Sequence, residues 1–231
     1  AAQIAREASD SAGRIATEAE KATHHLRNAS SDSDLPVLVG GSVGPTGEMM
    51  EPLGTLSSGE AREGFATQAR GLAEGGADLI WIETMSDLRE AEAAIKGAQD
   101  ACDLPLVVTL TFDAGGRTMM GVSPEQAVET LTPFGLAAVG ANCGSGPEET
   151  EEVIATMASL GSGLPLIAKA NAGKPAWVDG ALVYDGTPEV MGEHALRVRD
   201  LGASLIGGCC GTTPAHIREM GRALADGPSP G

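Results

Sequence analysis

The sequence predicts an α/β fold built on a parallel sheet, and three observations predict it. Short apolar runs alternate six times with longer amphipathic ones. The runs are apolar throughout rather than alternating in polarity, as in strands covered on both faces. Capping residues and glycines fall where helices should start and stop. A barrel and an open doubly wound sheet both fit this beat. No G-x-G-x-x-G follows the first run, and the reading favours a TIM (β/α)8-type barrel.

In order along the chain, residues 1–29 carry Ile4, Ala8, Ile15, Ala19, Ala22 and Leu26 at roughly helical spacing and predict an opening helix, which Ser30 to Asp34 break. "LPVLVGG" (35–41) is the first strand, followed by a helix over 58–74. "ADLIWIE" (77–83) precedes a helix over 87–101, and "LPLVVTLTF" (104–112) precedes one over 123–134. "LAAVGAN" (136–142), "LPLIAKA" (164–170) and "ASLIGG" (203–208) precede helices over 147–160, 188–201 and 214–225. Ser123-Pro124 and Thr213-Pro214 place a capping hydroxyl and then proline at the first helical position, where the missing N–H costs nothing. "EGGAD" and "DLGAS" place glycine at helix ends.

Composition narrows the function classes. A chain of 231 residues with 42% hydrophobic residues can bury a sizeable core. A formal charge of -17 argues against a nucleic-acid or anionic-membrane partner, both of which call for basic surface. At 3% aromatic residues, stacking platforms and ammonium cages are hard to assemble. No apolar run approaches the roughly 20 residues that cross a bilayer. Four cysteines are too few for a disulfide scaffold. The expectation is a cytoplasmic protein with free thiols.

Chemistry in such folds gathers at the carboxyl ends of the strands. There the sequence delivers "GGSVGPTGE", Glu83-Thr84-Met85, Asn142-Cys143-Gly144, "KANAGKP" (169–175) and Cys209-Cys210. Any one of these cysteines alone reads as packing. Adjacent cysteines seldom pair with each other, because the ring they would close is strained. Three thiols on one rim, with Gly207, Gly208 and Gly211 letting the backbone turn, instead suggest a metal held by three thiolates, and zinc accepts such ligands while keeping a fourth position open. Cys102, at a helix end away from the rim, reads as structural.

"GGCCGTTPAHI", "GANCGSGPEE", "NAGKP", "IETMSDLREA" and "GGSVGPTGE" closely resemble the homocysteine S-methyltransferase family, and the resemblance runs from about Ala5 to Ala225. It implies a (β/α)8 barrel whose Zn2+ is held by Cys143, Cys209 and Cys210. It further implies that Glu83 helps hold the amino group of homocysteine, that Asn142 lies beside the metal, and that Gly41 and Ser42 belong to a loop shaping the site mouth. The implied reaction transfers a methyl group from a small-molecule donor to the homocysteine thiol, giving methionine.

The family's first strand carries Asp-Gly-Gly or Asp-Gly-Ala and its second an Asn-Thr type of motif, and neither occurs here. Six strands are countable where eight are expected, so the chain reads as amino-terminally truncated. Residues 1–29 are then the remnant helix, 30–226 the barrel and 227–231 a tail, with an oligomer or a complementing segment expected to cover the open edges. A catalytically silent zinc-binding or assembly module of the same fold is the alternative function. A redox role for Cys209 and Cys210 ranks below both, because the usual two-residue spacer is missing. His24, His25, His194 and His216 are expected to be solvated or capping residues, Asp113 and Arg117 a turn, and Trp81 and Trp177 packing residues, the latter in a loop.

Overall fold

A computed structural model describes residues 38–113 and 115–227. Six of its strands form one parallel sheet, β1 (Gly40–Val43), β2 (Leu79–Met85), β3 (Leu106–Leu110), β4 (Ala138–Cys143), β5 (Leu166–Ala170) and β8 (Ala203–Gly208), and they lie side by side in that order. Between β5 and β8 the chain makes a separate antiparallel hairpin of β6 (Pro175–Val178) and β7 (Ala181–Tyr184). Each strand of the parallel sheet is followed by a helix: α1 (Ser58–Glu74), α2 (Leu88–Ala101), α3 (Pro124–Leu131), α4 (Pro147–Ser159), α5 (Pro188–Asp200) and α6 (Pro214–Asp226). The opening helix expected over 1–29 lies outside the described residues.

The local chemistry follows the expected starts and stops. Ser57, Ser123 and Thr213 each form reciprocal capping boxes with Glu60, Gln126 and His216, so orphan N–H groups of the first turn are satisfied on both sides. The "LP" pairs explain why β3 and β5 begin two residues after the apolar runs do. Pro105 and Pro165 have no N–H to donate, yet their carbonyls accept from Ile80 and Val139 and so align the ladders.

Alternate residues divide the sheet into two faces. Ile80, Ile82, Val108, Leu110, Val139, Ala141 and Ala168 join Phe65 of α1, Ile95 of α2 and Ile154 and Met157 of α4 in the main core. The other face begins apolar, with Val107, Ala138 and Ile167 against Leu79 and Trp81, and turns polar toward the carboxyl ends of the strands. Asn142 of β4 reaches Thr84 of β2, and Lys169 of β5 reaches Glu83 of β2. On a flat sheet those strands would lie about 10 and 14 Å apart. The sheet therefore curls toward the polar face. Among the described residues β1 and β8 are its edges.

Two expectations are corrected. Trp177 was expected to pack in a loop. It stands on β6, 77% exposed, because residues 175–184 form the hairpin: Asp179-Gly180 supplies two consecutive positive φ values of 51° and 79°, the geometry of a two-residue type I′ turn. His194 was expected to be solvated or capping. It is fully buried, because it shares a face of α5 with Met191, Ala195 and Val198. No helix among the described residues is long and apolar enough to cross a membrane.

Candidate metal and thiol site

Three cysteines converge at the carboxyl ends of β4 and β8. Cys143 Sγ lies 3.0 Å from Cys209 Sγ and 3.9 Å from Cys210 Sγ, and the three sulfurs all fall within 4.8 Å of one another. All are free thiols, and 3.0 Å is well beyond the roughly 2.05 Å of a disulfide. A tetrahedral zinc with bonds of about 2.3 Å separates its sulfurs by about 3.8 Å. The sulfur distances straddle that value, so small side-chain rotations fit the donor set to such an ion.

The backbone assembles this cluster with little help from the cysteines themselves. Asn171, just past β5, donates from Nδ2 to the Gly144 carbonyl at 2.8 Å and accepts at Oδ1 from the Cys210 N–H at 3.0 Å. One buried amide thus ties the turn after β4 to the turn after β8. Cys209 N–H donates to the Ala170 carbonyl, and Cys210 returns its carbonyl to Ala172 N–H. Gly211 has a φ of 77°, and a Cβ there would meet the Tyr184 ring at 2.4 Å, so both the turn and the close approach require glycine. Gly207 and Gly208 stay within β8 and have no positive φ.

Asn142 connects the cluster to β2. Its Oδ1 accepts from the Thr84 N–H at 2.8 Å, and its Nδ2 donates to Thr84 Oγ1 at 2.8 Å and faces Cys143 Sγ at 3.5 Å and Cys209 Sγ at 3.9 Å. Thr84 and Cys143 both hold left-handed backbone, with φ of 65° and 59°. Such residues cost on the order of 1–3 kcal/mol each and persist only where the surroundings impose them. Here the Asn142 amide supplies bonds that hold Thr84 in place.

Electrostatics single out Cys209. The hydrogen bond with Cys143 draws its pKa down to about 5, against the opposing effect of burial, with further help from the Asn142 amide and the Lys169 charge. The same contact pushes Cys143 upward, reinforced by burial. The pair releases one proton readily and holds the next. Tyr184 is also raised, first by burial and then by negative charge at Cys210, which marks the base of the hairpin as a wall of the site.

Beside the thiols lies a polar pair. Glu83 Oε1 accepts from Ser42 Oγ at 2.5 Å and Glu83 Oε2 accepts from Lys169 Nζ at 2.5 Å. Lys169 Nζ stands 4.7 Å from the Trp81 ring centroid, and Trp81 Nε1–H donates to Thr109 Oγ1 at 3.2 Å. The carboxylate at the end of a buried strand was expected to have a partner, and Lys169 and Ser42 are its partners. Gly41 neighbours Ser42 on β1 but faces Leu72 and Ala77 of the helix side. Of the seven predicted site residues, the structure brings together Cys143, Cys209, Cys210 and Asn142, and joins Ser42 to Glu83; Gly41 stands apart.

Sequence reasoning placed Thr84, Lys169 and Asn171 at the rim without giving them a role, and missed Tyr184. For Lys169 the signal was present: a charge inside the apolar run "LPLIAKA" needs a partner. Asn171 and Tyr184 act through folded contacts that no spacing announces. Cys102 caps α2 with its thiol near the Ala98 carbonyl, as its structural reading expected. Asp113 and Arg117 form a bridged turn, and His216 caps α6, accepting at Nδ1 from the Thr213 N–H while its Nε2–H donates to the Gly186 carbonyl.

Comparison with known proteins places these motifs. A family model described as homocysteine S-methyltransferase matches residues 1–224. The methionine synthase of Mycobacterium tuberculosis is 33% identical over 226 residues, which is 94% of this chain and 19% of that protein. The methionine synthase of Mycobacterium leprae is 34% identical over 191 residues, 80% of this chain and 16% of that protein. The chain thus spans about a fifth of the length of the curated relatives it matches. The apo form of the homocysteine methyltransferase MmuM from Escherichia coli superposes with a TM-score of 0.67 at 25% identity, covering 81% of this chain and 64% of that one. Its oxidised form, at 24% identity and a TM-score of 0.66, shares the fold.

Proposed function

We propose, because the chain belongs to the homocysteine S-methyltransferase family, that Cys143, Cys209 and Cys210 hold a zinc ion and that the site passes a methyl group to the thiol of homocysteine, giving methionine. The carrying observation is the convergence of three sulfurs within 4.8 Å from two separate strand ends. On this reading residues 30–226 are the barrel unit, with 1–29 and 227–231 outside it.

Bound zinc supplies a positive centre that keeps an acceptor thiol ionised at neutral pH and holds it in one place. The chain's own residues do the rest. Asn142, fixed by Thr84, turns its remaining amide hydrogen toward the sulfurs and steadies their negative charge. Glu83, braced by Ser42, offers a carboxylate for the acceptor's ammonium group. The thiols must be reduced to act, which suits a cytoplasmic protein. The second substrate is a small-molecule methyl donor.

Metal analysis of the reduced protein tests the reading, with the parent compared with Cys143→Ser, Cys209→Ser and Cys210→Ser. The parent should hold about one zinc per chain and each variant far less, because a three-ligand site cannot spare a thiolate. Methionine formation from homocysteine and a methyl donor should require the zinc. A parent that neither retains nor takes up zinc would refute the assignment.

A further inference from the structure

The Lys169–Glu83 pair does not belong to the thiol cluster, yet it faces the same open space. Both side chains point from the polar face of the sheet, and each keeps about a fifth of its surface in contact with solvent, 21% for Lys169 and 20% for Glu83. Glu83 is fully engaged, one oxygen on Ser42 and the other on Lys169. Lys169 is not: an ammonium has three N–H donors, and the Trp81 ring takes its charge at 4.7 Å without consuming one. Ladder register puts Lys169 opposite Asn142 on β4 and Gly207 on β8, one position short of the Cys143 and Gly208 level. From there the cation reaches Glu83 and Trp81 on β2 and lies near enough to Cys209 for its charge to favour the thiolate.

We infer that Lys169 is the specificity-determining residue that reads the acceptor's carboxylate, opening its pair with Glu83 to admit a zwitterionic thiol. The inference rests on the proposed thiol-methylating function and adds the residue that selects among thiols. An ion pair with about a fifth of its surface open to solvent is a neutral, antiparallel template for an α-amino acid. The ligand's ammonium takes the Glu83 oxygen that Lys169 holds in its absence, and its carboxylate takes the ammonium so released. Both exchanges replace one charge-assisted hydrogen bond with another, so neither charge is left bare. A thiol with an amine and no carboxylate would strip Lys169 of its partner, and a thiol with only a carboxylate would leave Glu83 unengaged by the ligand. Trp81 keeps the lysine stem on the site side of the sheet in either state.

The test is calorimetric binding to the zinc-loaded full chain of three thiols: homocysteine, its decarboxylated counterpart mercaptopropylamine and its deaminated counterpart mercaptobutanoate. The parent should bind homocysteine most tightly. Lys169→Met should weaken homocysteine by roughly tenfold or more, the size expected from losing one hydrogen bond to a charged group, while mercaptopropylamine, which no longer strips a lysine of its partner, binds no more weakly than to the parent. Lys169→Arg should restore the preference for the carboxylate. Lys169→Gln, which retains a polar tip, provides the same comparison if the methionine variant fails to fold by circular dichroism. Equal weakening of all three thiols, or an unchanged preference, overturns the inference while thiol binding by the parent stands. Failure of the zinc-loaded parent to bind any of the three overturns the acceptor reading and the inference with it.

Discussion

The two faces of the parallel sheet are built from the same strands by alternate residues, and they differ in almost every physical respect. On β2, Ile80 and Ile82 face the helices and are fully buried, while Trp81 and Glu83, alternating with them, face the concave side and stay partly exposed. On β5, Ala168 lies in the main core and Lys169 next to it reaches Glu83. The helix-covered face is dry and shape-complementary, so its residues are interchangeable only with others of like volume. The concave face is held by directed contacts, Asn142 with Thr84, Glu83 with Lys169 and Asn171 with the two cysteine turns, so residue identity matters there more than volume. Stability resides mainly on one face and the proposed binding groups lie on the other, although a single residue step separates them.

The largest expected effect sharpens that division. Ile82→Ala should remove about 2–5 kcal/mol of folding stability, the cost of a cavity in a packed core. Denaturant titration would measure it, and the zinc affinity of the folded protein should change little. A variant that lost zinc but kept its stability would show that the two faces are mechanically coupled.

Asn142→Ala is the converse test, of intermediate size. It should weaken zinc binding by about 10- to 100-fold, the usual cost of losing a group that orients metal ligands, with a smaller stability loss from the orphaned Thr84 N–H. Competition with a chelator of known affinity reads the first, and thermal unfolding the second. If stability fell as far as in Ile82→Ala with zinc affinity intact, Asn142 would belong functionally to the core.

Legibility in the sequence follows the same line. The covered face and its helices were readable because burial leaves periodic apolar runs and because Ser123-Pro124 and Thr213-Pro214 declare helix starts in two adjacent letters. The three cysteines were readable because strand ends share a rim. The partners of Glu83 were not, because Lys169 lies 86 positions away and meets it only when the sheet curls. Asn171 escaped for the same reason, its two bonds reaching 27 and 39 positions along the chain. The hairpin was missed despite its Asp-Gly turn, because "PAWVDGALVY" is too short and too exposed to show a buried pattern.

His194 carries the smallest predicted effect and the strictest test of the covered face. It sits on α5 with no solvent exposure, its Nδ1 2.8 Å from Glu151 Oε1 of α4, while its Nε2 finds no hydrogen-bond partner among the described residues. Burial lowers its pKa below 6.5, and this outweighs the raising influence of Glu151, chiefly through their hydrogen bond, and of the more distant Glu148; Arg197 on the same helix lowers it further. A histidine held neutral in the fold and free to protonate when unfolded contributes stability above its unfolded pKa, and loses it as pH falls below that value toward the lowered folded one. Stability should therefore decline as the pH falls from neutral through about 6.5 and below, by less than Ile82→Ala costs. Because 32 acidic residues also titrate toward the acid end, the informative quantity is the difference between the parent and His194→Gln, measured by chemical denaturation across that range. The variant should be the flatter of the two. If the parent instead gained stability relative to the variant as pH fell, the ion pair with Glu151 would outweigh desolvation, and the covered face would owe part of its stability to a buried charge contact between α4 and α5.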